Sequence, residues 1–286
     1  ITFGPMQFQG KRVLITGAGR GIGRAIALEC ARGGASLGIV ARTAQELEAT
    51  ATELKRAGAP EVALYPGDVG HLAFAEDVVA HWVRPGEAMH GLVCAAAIMG
   101  EINELAESSL ADWEKALRIN VMGSVSFAQA AIRRMPRGGR IVFFSGGGQG
   151  AQARRTAYTA SKGAIWRLTE SLAAEVEGKG IFVNAIAPGA VNTSFLQAVL
   201  DAGPERAGRK EYEEALRQKE KGGTPPEKAA KLVAYLMAER SAGLTGKILS
   251  AVWDPYEDFQ DLAAMSRSDI YTVRRVVDAA GGTRVK

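Results

Sequence analysis

A tyrosine and a lysine stand four residues apart in segment 157–176, which has helical periodicity. Tyr158 and Lys162 therefore lie on one helix face and can reach a shared ligand. A phenol with its ordinary pKa of about 10 is a poor acid at neutral pH, but a nearby ammonium favours the phenolate and lowers that pKa. Among six tyrosines, only Tyr158 has a lysine at this spacing. The pair predicts a proton donor for a substrate carbonyl; an ordinary pair on a helix surface is the alternative.

A hydroxyl group is predicted at the end of a buried strand close to this pair. Ser145 closes the apolar segment 140–145, whose sequence RIVFFS is typical of a strand inside a sheet. Open α/β sheets bind their ligands at the carboxyl ends of the strands, so this hydroxyl is a candidate to hold a substrate oxygen. Further candidates for substrate contacts are Gly147, Gln149, Gln152, Arg154 and Arg155. The two arginines suit an anionic substrate or, equally, are solvated residues at a helix start.

Four glycines alternate with other residues in a turn between a predicted strand and a predicted helix. They are Gly17, Gly19, Gly21 and Gly23, after Thr16. Glycine permits positive φ and has no Cβ, so a pyrophosphate can approach the backbone N–H groups at the helix N-terminus, where the helix dipole favours an anion. The pattern predicts a dinucleotide site, and a merely flexible loop is the alternative.

The end of the second predicted strand bears on which dinucleotide is bound. An acidic residue roughly 20 positions beyond a glycine-rich turn binds the ribose 2′-hydroxyl of NAD, but this chain has Ala41 followed by Arg42. Arg42, together with Arg20 in the turn, can pair with a 2′-phosphate. We therefore predict NADP(H) as the preferred cofactor, with NAD(H) as the alternative. Arg42 could instead be a solvated residue before the helix that starts at Thr43, and Arg20 could pair elsewhere.

Short apolar segments alternate with longer segments of helical periodicity along most of the chain. Strands are predicted at 12–16, 37–41, 62–65, 92–97, 140–145 and 181–187. Helices are predicted after Gly21 and at 44–57, 72–83, 113–135 and 157–176. Parallel strands need helical crossovers and are buried on both faces. The alternation predicts a single α/β domain, a Rossmann-like, doubly wound parallel sheet with helices on both faces.

Both ends of the chain and one internal segment depart from this alternation. Residues 1–5 precede Met6 and are interpreted as a remnant outside the natural protein. The domain is predicted to span residues 6–253. Within it, residues 190–223 hold four glycines around a charged helical stretch, which predicts a substrate flap or, alternatively, a solvated surface helix. Residues 254–286 form a polar C-terminal extension that does not continue the sheet pattern.

The composition argues against several classes of function. The chain of 286 residues has 35 basic and 31 acidic residues with no concentrated basic block, so we expect no nucleic-acid partner. The longest apolar stretch, 92–99, is far shorter than the roughly 18 residues of a membrane span. The three histidines lack metal-ligand spacing, and we predict no metal site. Cys30 and Cys94 stand in apolar segments, which predicts a reducing, cytoplasmic compartment.

Taken together, these motifs resemble the short-chain dehydrogenase/reductase family over about residues 10–246. The residues that carry the resemblance are 16–23, Asp68, Val69, Asn120, Ser145, Tyr158, Lys162, Pro188, Gly189 and Thr193. The resemblance implies that Tyr158 is the general acid and base and that Lys162 lowers its pKa and binds the nicotinamide ribose. It also implies that Ser145 orients the substrate carbonyl and that Asn120 holds a water in a proton relay.

The same resemblance implies a set of cofactor contacts. Asp68 and Val69 would contact adenine, Thr193 would hydrogen-bond the nicotinamide carboxamide, and Ile22 and Val191 would pack near its ring. The full predicted set is Gly17, Gly19, Arg20, Gly21, Ile22, Gly23, Ala41, Arg42, Asp68, Val69, Ala95, Tyr158, Lys162, Pro188, Gly189, Val191 and Thr193. Residues 94–97 depart from the family, since they read Cys-Ala-Ala-Ala where the family usually has Asn-Asn-Ala-Gly.

These observations predict an NADP(H)-dependent oxidoreductase that interconverts a secondary alcohol and a ketone by hydride transfer. The substrate is expected to be a small carbonyl or alcohol compound, of a carbohydrate-related or 3-oxoacyl type, and no membrane partner is expected. A dinucleotide-binding scaffold or regulatory protein with little turnover is the alternative. By the resemblance, the chain would form a homodimer or homotetramer through the helices predicted at 113–135 and 157–176.

Overall fold

A seven-stranded parallel sheet forms the centre of the computed structural model, which describes residues 7–146 and 150–274. The strands are β1 (Arg12–Thr16), β2 (Ser36–Ala41), β3 (Val62–Pro66), β4 (Gly91–Cys94), β5 (Arg140–Phe144), β6 (Phe182–Ala187) and β7 (Ile248–Ser250). Their order is β3-β2-β1-β4-β5-β6-β7, and each adjacent pair is parallel. The order reverses between β1 and β4, and a sheet of this kind binds its ligand in the crevice at that point.

Helices cover the two faces of the sheet. They are α1 (Gly21–Arg32), α2 (Ala44–Ala57), α3 (Phe74–Trp82), α4 (Leu110–Leu117), α5 (Gly123–Ile132), α6 (Thr156–Val176), α7 (Ser194–Ala207), α8 (Arg209–Lys221), α9 (Pro226–Met237) and α10 (Leu262–Arg267). Within the described ranges, no helix combines the length and the apolar character needed to cross a membrane.

Successive residues of the central strands pack into separate cores on opposite faces of the sheet. Ile15 of β1 lies in one core with Ile26 of α1 and Leu232 of α9. Its neighbour Leu14 lies in the other core with Phe127 of α5. All five side chains are almost fully buried. Because consecutive side chains of a strand point to opposite faces, each strand stabilises both layers, and the predicted doubly wound α/β fold is confirmed.

Some elements differ in extent from those predicted. The helix predicted at 113–135 is α4 and α5 joined by the π-helical turn Arg118–Met122. The strand predicted at 92–97 ends at Cys94, the last β4 residue paired with β1 and β5, because the next residues leave the sheet and pack against the glycine turn. The segment 190–223 contains α7, which is interrupted at Gly203 (φ +71°), and α8, rather than one charged stretch. α9 and β7 were not among the predicted elements, and residues 1–5 lie outside the described ranges.

The C-terminal extension folds back along β7. The backbone N–H of Ile248 donates to the carbonyl of Tyr271 at 2.9 Å, and the Nζ of buried Lys247 donates to the carbonyl of Ser268 at 2.6 Å. The described part of the extension therefore covers the outer side of β7 without contributing a strand to the sheet. Residues 275–286 of the extension lie outside the described ranges.

Candidate active site

The glycine turn between β1 and α1 is packed so closely that two of its positions exclude any side chain. Gly17 has φ +70°, and a Cβ there would lie 2.8 Å from the backbone nitrogen of Ala96. A Cβ on Gly23 would lie only 2.2 Å from the carbonyl oxygen of Gly17. The Oγ1 of Thr16 accepts a hydrogen bond from the Ala96 N–H at 3.2 Å. The turn thus requires glycine at both positions, and residues after β4 support it from the other side.

A large cavity extends from this turn to the carboxyl ends of the central strands. Its volume is about 1940 Å³, which exceeds the roughly 300–1,000 Å³ of a typical small-molecule site. All the predicted cofactor-binding residues line it, and so do Ser145, Tyr158 and Lys162. The N-terminus of α1 has neither a side-chain cap nor an acidic residue in its first turn, so its free N–H groups can receive an anion. These residues fit a nicotinamide dinucleotide.

Lys162 and Tyr158 are both buried in the wall of the cavity, on one face of α6. The Nζ of Lys162 donates to the carbonyl oxygen of Phe144 at 2.9 Å and lies 5.5 Å from the centroid of the Tyr158 ring. Burial lowers the pKa of Lys162 to about 8. Burial also raises the pKa of Tyr158 to about 12, against a smaller lowering by the positive charge of Arg155. Without cofactor, desolvation therefore outweighs the expected lowering, and Tyr158 holds its proton at neutral pH.

Ser145 follows β5 directly and lies next to Tyr158 in the cavity wall. Its Oγ donates to the carbonyl of Ile186 at 3.1 Å, which fixes the hydroxyl at the carboxyl end of the sheet. Gly146, the next residue, has φ +64°, and a Cβ there would lie 3.0 Å from the Tyr158 hydroxyl oxygen. This close approach lets the chain pass the phenol while leaving the hydroxyls of Ser145 and Tyr158 on the same cavity.

Asn120 lies in the π-helical turn and does not line the cavity, unlike the other three predicted catalytic residues. Its Oδ1 accepts from the Ile98 N–H at 2.8 Å, and its Nδ2 donates to the Ile98 carbonyl at 2.9 Å and to the Ser161 Oγ at 3.0 Å. The amide is thus occupied in joining the segment after β4 to α6. Its backbone carbonyl accepts a hydrogen bond from the Ser124 hydroxyl at 3.1 Å, and a part for Asn120 in a proton relay stays a prediction.

The predicted 2′-phosphate site contains a carboxylate that was not predicted from the sequence. Glu46, in the first turn of α2, forms an ion pair with Arg20 at 3.5 Å and lines the cavity. Arg42 is exposed beside it. Arg20 thus pairs elsewhere in this structure, which was the alternative for that residue. The position of Glu46, one turn into the helix that follows the second strand, was the sequence feature that could have indicated a carboxylate at this site.

The remaining predicted cofactor contacts lie at the ends of neighbouring strands and at α7. Asp68 accepts a hydrogen bond from the Gly70 N–H through its Oδ1 at 2.8 Å. Val69 packs closely against Gly123, since a Cβ on Gly123 would lie 3.0 Å from the Val69 side chain. Thr193 caps α7 by accepting the Phe195 N–H at 3.3 Å. These contacts hold fixed the backbone that lines the cavity.

The predicted flap packs over the catalytic residues. The ring of Phe195 on α7 meets the ring of Tyr158 edge-on at a centroid distance of 5.4 Å. Glu211 on α8 forms an ion pair with Arg155 at 2.6 Å. Glu211 and the mostly buried Ala215 both line the cavity, so α8 borders the cavity along one side while most of its residues are exposed. Apolar contacts to Tyr158 also come from Met99 and Ile102, in the segment after β4.

Several residues that line the cavity and were not predicted from the sequence come from the C-terminal extension and the end of β7. These are Trp253, Asp254, Tyr271, Thr272, Val273 and Arg274. Trp253 and Asp254 lie shortly after β7, and residues 271–274 are held at α6, where Glu170 pairs with Arg274 at 2.8 Å. Gly147 and Gln149 lie outside the described ranges. Among the residues that the structure describes, no cluster of three or more side chains suits a metal ion.

Comparisons with known proteins agree with this geometry. The family model for short chain dehydrogenase matches residues 11–203. A Zymoseptoria tritici protein named "Probable tetrahydroxynaphthalene reductase" is 30% identical over 85% of this chain and 93% of its own length. The 3-oxoacyl-[acyl-carrier-protein] reductase of Aquifex aeolicus is 31% identical over 85% of this chain and 96% of its own.

The fold is also shared with solved structures. The structure of a xylitol dehydrogenase with bound NAD⁺ superposes with a TM-score of 0.75 at 28% identity, and covers 85% of this chain and 98% of the other. The family binds nicotinamide dinucleotides and acts on small molecules. Because the family model matches most of the chain and the relatives match over nearly their whole lengths, this chain belongs to the short-chain dehydrogenase/reductase family of NAD(P)-dependent oxidoreductases.

Proposed function

We propose that this protein is an NADP(H)-dependent oxidoreductase that interconverts a secondary alcohol and a ketone. The observation that carries the proposal is that Tyr158, Lys162 and Ser145 line the same cavity as the glycine turn. A dinucleotide held at the turn can extend toward α6, where a proton donor and a hydroxyl are already buried together. The domain at 6–253, with its flap at 190–223, would form this site, and the extension from 254 would add to its wall.

The bound cofactor would supply or accept the hydride, and the protein side chains would donate or accept the proton. Tyr158, protonated at neutral pH in the free protein, would donate its proton to the carbonyl oxygen during reduction. Lys162 would bind the nicotinamide ribose, and its charge, with that of an oxidised nicotinamide ring, would favour the phenolate. Ser145 would turn its hydroxyl from Ile186 toward the substrate oxygen.

The other contacts follow the positions of the residues around the cavity. The turn would hold the pyrophosphate at the N-terminus of α1. Asp68 and Val69 would contact adenine, and Thr193 would bind the carboxamide. The rest of the proposed set lines the cavity nearby: Ile22, Ala95, Pro188, Gly189 and Val191. Asn120 would hold a water in the proton relay, although both its side-chain amide and its backbone carbonyl have partners within the protein.

The substrate class is tested by following NADPH consumption with ketones of two kinds, 3-oxoacyl thioesters and keto sugars. Two relatives support this choice, since one is named a 3-oxoacyl reductase and another a xylitol dehydrogenase. The apolar contacts of Phe195, Met99 and Ile102 around Tyr158 favour a substrate with an apolar part next to its carbonyl. We expect stoichiometric alcohol formation with at least one class. Cofactor binding with no turnover on either class would favour the scaffold alternative.

Replacing Arg42 with alanine is expected to weaken NADPH binding by about tenfold or more and to leave NADH binding unchanged. A charge-assisted hydrogen bond to a phosphate contributes roughly 1.5–3 kcal/mol, and about 1.4 kcal/mol corresponds to a tenfold change in affinity. The measurement is the Kd of each cofactor for both proteins by calorimetry. Equal losses for NADPH and NADH would contradict a role of Arg42 in reading the 2′-phosphate.

Glu46→Gln is expected to have the opposite effect on NADPH affinity at the proposed 2′-phosphate site. Removing the carboxylate frees Arg20 from its ion pair and removes a negative charge beside the proposed phosphate, so the Kd for NADPH should fall while that for NADH stays the same. A parallel change in both Kd values would assign Glu46 to the shape of the turn rather than to cofactor choice.

We further propose that copies of the chain assemble through α6 and the helical segment formed by α4 and α5. α6 carries exposed small residues, Ala160, Gly163 and Ala164, which allow close helix approach. Sedimentation analysis distinguishes a dimer or tetramer from a monomer.

The buried free thiols Cys30 and Cys94 support the proposal of a reducing, cytoplasmic compartment.

A further inference from the structure

Arg155 is a cation built into the wall of the catalytic cavity. It stands at the N-cap of α6, three residues before Tyr158, and its side chain is only 13% exposed. Its guanidinium lies 2.6 Å from the carboxylate of Glu211 on α8, and both residues line the cavity. We propose that Arg155 is a positioning residue whose charge favours the ionised form of Tyr158, and that Glu211 partly offsets that charge. This inference rests on the proposed function.

The neighbouring arginine has a different task. Arg154 does not line the cavity. Its guanidinium pairs with Glu104 at 2.5 Å and donates to the backbone carbonyls of Glu205 and Arg206 at the end of α7. Arg154 thus ties α7 to the body of the domain, whereas Arg155 lines the same cavity as Tyr158. The two adjacent arginines form a matched pair for testing, since replacing either one removes one positive charge and its contact with the flap.

The charge of Arg155 affects the ionisation of Tyr158. Lys162 is engaged with the Phe144 carbonyl. In the protein without cofactor, burial raises the pKa of Tyr158, and the charge of Arg155 opposes that rise. Apart from Arg20, Arg42, Glu46 and Asp68 of the proposed dinucleotide site, the charged residues that line the cavity are Arg155 and Lys162 on α6, Glu211 and Glu214 on α8, and Asp254 and Arg274 after β7. Of these, Arg155 and Glu211 are in direct contact with each other across the flap.

Replacing the two members of the ion pair should therefore shift the pKa of Tyr158 in opposite directions. A cation several ångströms from a phenol, in a medium between protein and water in polarity, changes its pKa by roughly half to one unit. Arg155→Leu removes the cation and should raise the pKa of Tyr158. Glu211→Gln removes the anion but keeps an oxygen that can accept from Arg155, so it should lower that pKa. A role limited to holding the flap closed would not produce shifts of opposite sign.

The test measures proton release when the oxidised cofactor binds, so it needs no substrate. A positive nicotinamide ring beside Tyr158 favours the phenolate, and the protein should release a proton above a characteristic pH. Calorimetric titration with NADP⁺ in two buffers of different ionisation enthalpy gives the number of protons released at each pH. Tyr158→Phe should abolish this release, and NADPH, whose ring is neutral, should cause little of it.

We expect the pH midpoint of proton release to rise by about half to one unit in Arg155→Leu and to fall in Glu211→Gln. Arg154→Leu is the control, and its midpoint should match that of the unchanged protein. Binding of NADP⁺ with an unchanged midpoint in both variants would overturn this inference and leave the proposed function standing. Failure of NADP⁺ and NAD⁺ to bind the unchanged protein, or binding without Tyr158-dependent proton release, would overturn both.

Discussion

Replacing Tyr158 with phenylalanine should lower turnover by roughly 10²–10⁴-fold, the loss typical when a general acid is removed. The ring stays in place, so its edge-on contact with Phe195 and its apolar burial are kept. Only the hydroxyl that carries the proton is lost. Cofactor affinity should change little, because the glycine turn and the first turn of α1 are untouched. The measurement is kcat together with the Kd for NADPH.

Tyr212→Phe is a matched control for this experiment. Tyr212 lies on α8 and packs against the same apolar cluster as Tyr158, but it does not line the cavity. The control variant should keep its turnover. Undiminished turnover in Tyr158→Phe, on a substrate that the unchanged protein reduces, would remove Tyr158 from the mechanism.

Replacing Gly23 with alanine should damage both stability and cofactor binding. The new Cβ would lie 2.2 Å from the carbonyl oxygen of Gly17, and neither backbone segment can move without disturbing the turn. Overpacking of this kind costs roughly 1–3 kcal/mol of unfolding free energy. If two hydrogen bonds to the pyrophosphate are lost with the turn, affinity for NADPH and NADH should both fall by about 10²-fold or more.

Gly178→Ala separates this effect from a general consequence of replacing glycine. Gly178 has ordinary negative φ, and a Cβ there would meet no atom within 4 Å. Thermal unfolding and calorimetry should show no loss of stability and unchanged cofactor affinity for this control. If Gly23→Ala binds both cofactors as tightly as the unchanged protein, the turn is not the pyrophosphate site.

Features that depend on nearby residues could be predicted from the sequence. The glycine turn follows from a strand, a short turn and a helix that are adjacent in the chain, and Tyr158 and Lys162 share a face because of helical spacing alone. The π-helical turn at Arg118–Met122 could not be predicted in the same way. A single extra residue in one turn barely changes the periodicity of a long helical segment.

Features that depend on distant contacts escaped prediction. β4 ends at Cys94 because the backbone N–H of Ala96 leaves the sheet and donates a hydrogen bond to Thr16, a residue 80 positions earlier. The end of the described C-terminal extension is held at the cavity by a hydrogen bond between Arg274 and Glu170, 104 positions apart. The pairing of Glu46 with Arg20 likewise joins two separate elements. No periodicity in the sequence marks such pairings, since each depends on the folded sheet.

The most direct test of the account is calorimetric titration of the purified protein with NADPH and, separately, with NADH. It examines the glycine turn, Ala41 and Arg42 in one experiment, without knowledge of the substrate. We predict one binding site per chain and a lower Kd for NADPH than for NADH. Tighter binding of NADH would contradict the assignment of Arg42, and failure to bind either cofactor would contradict the proposed oxidoreductase itself.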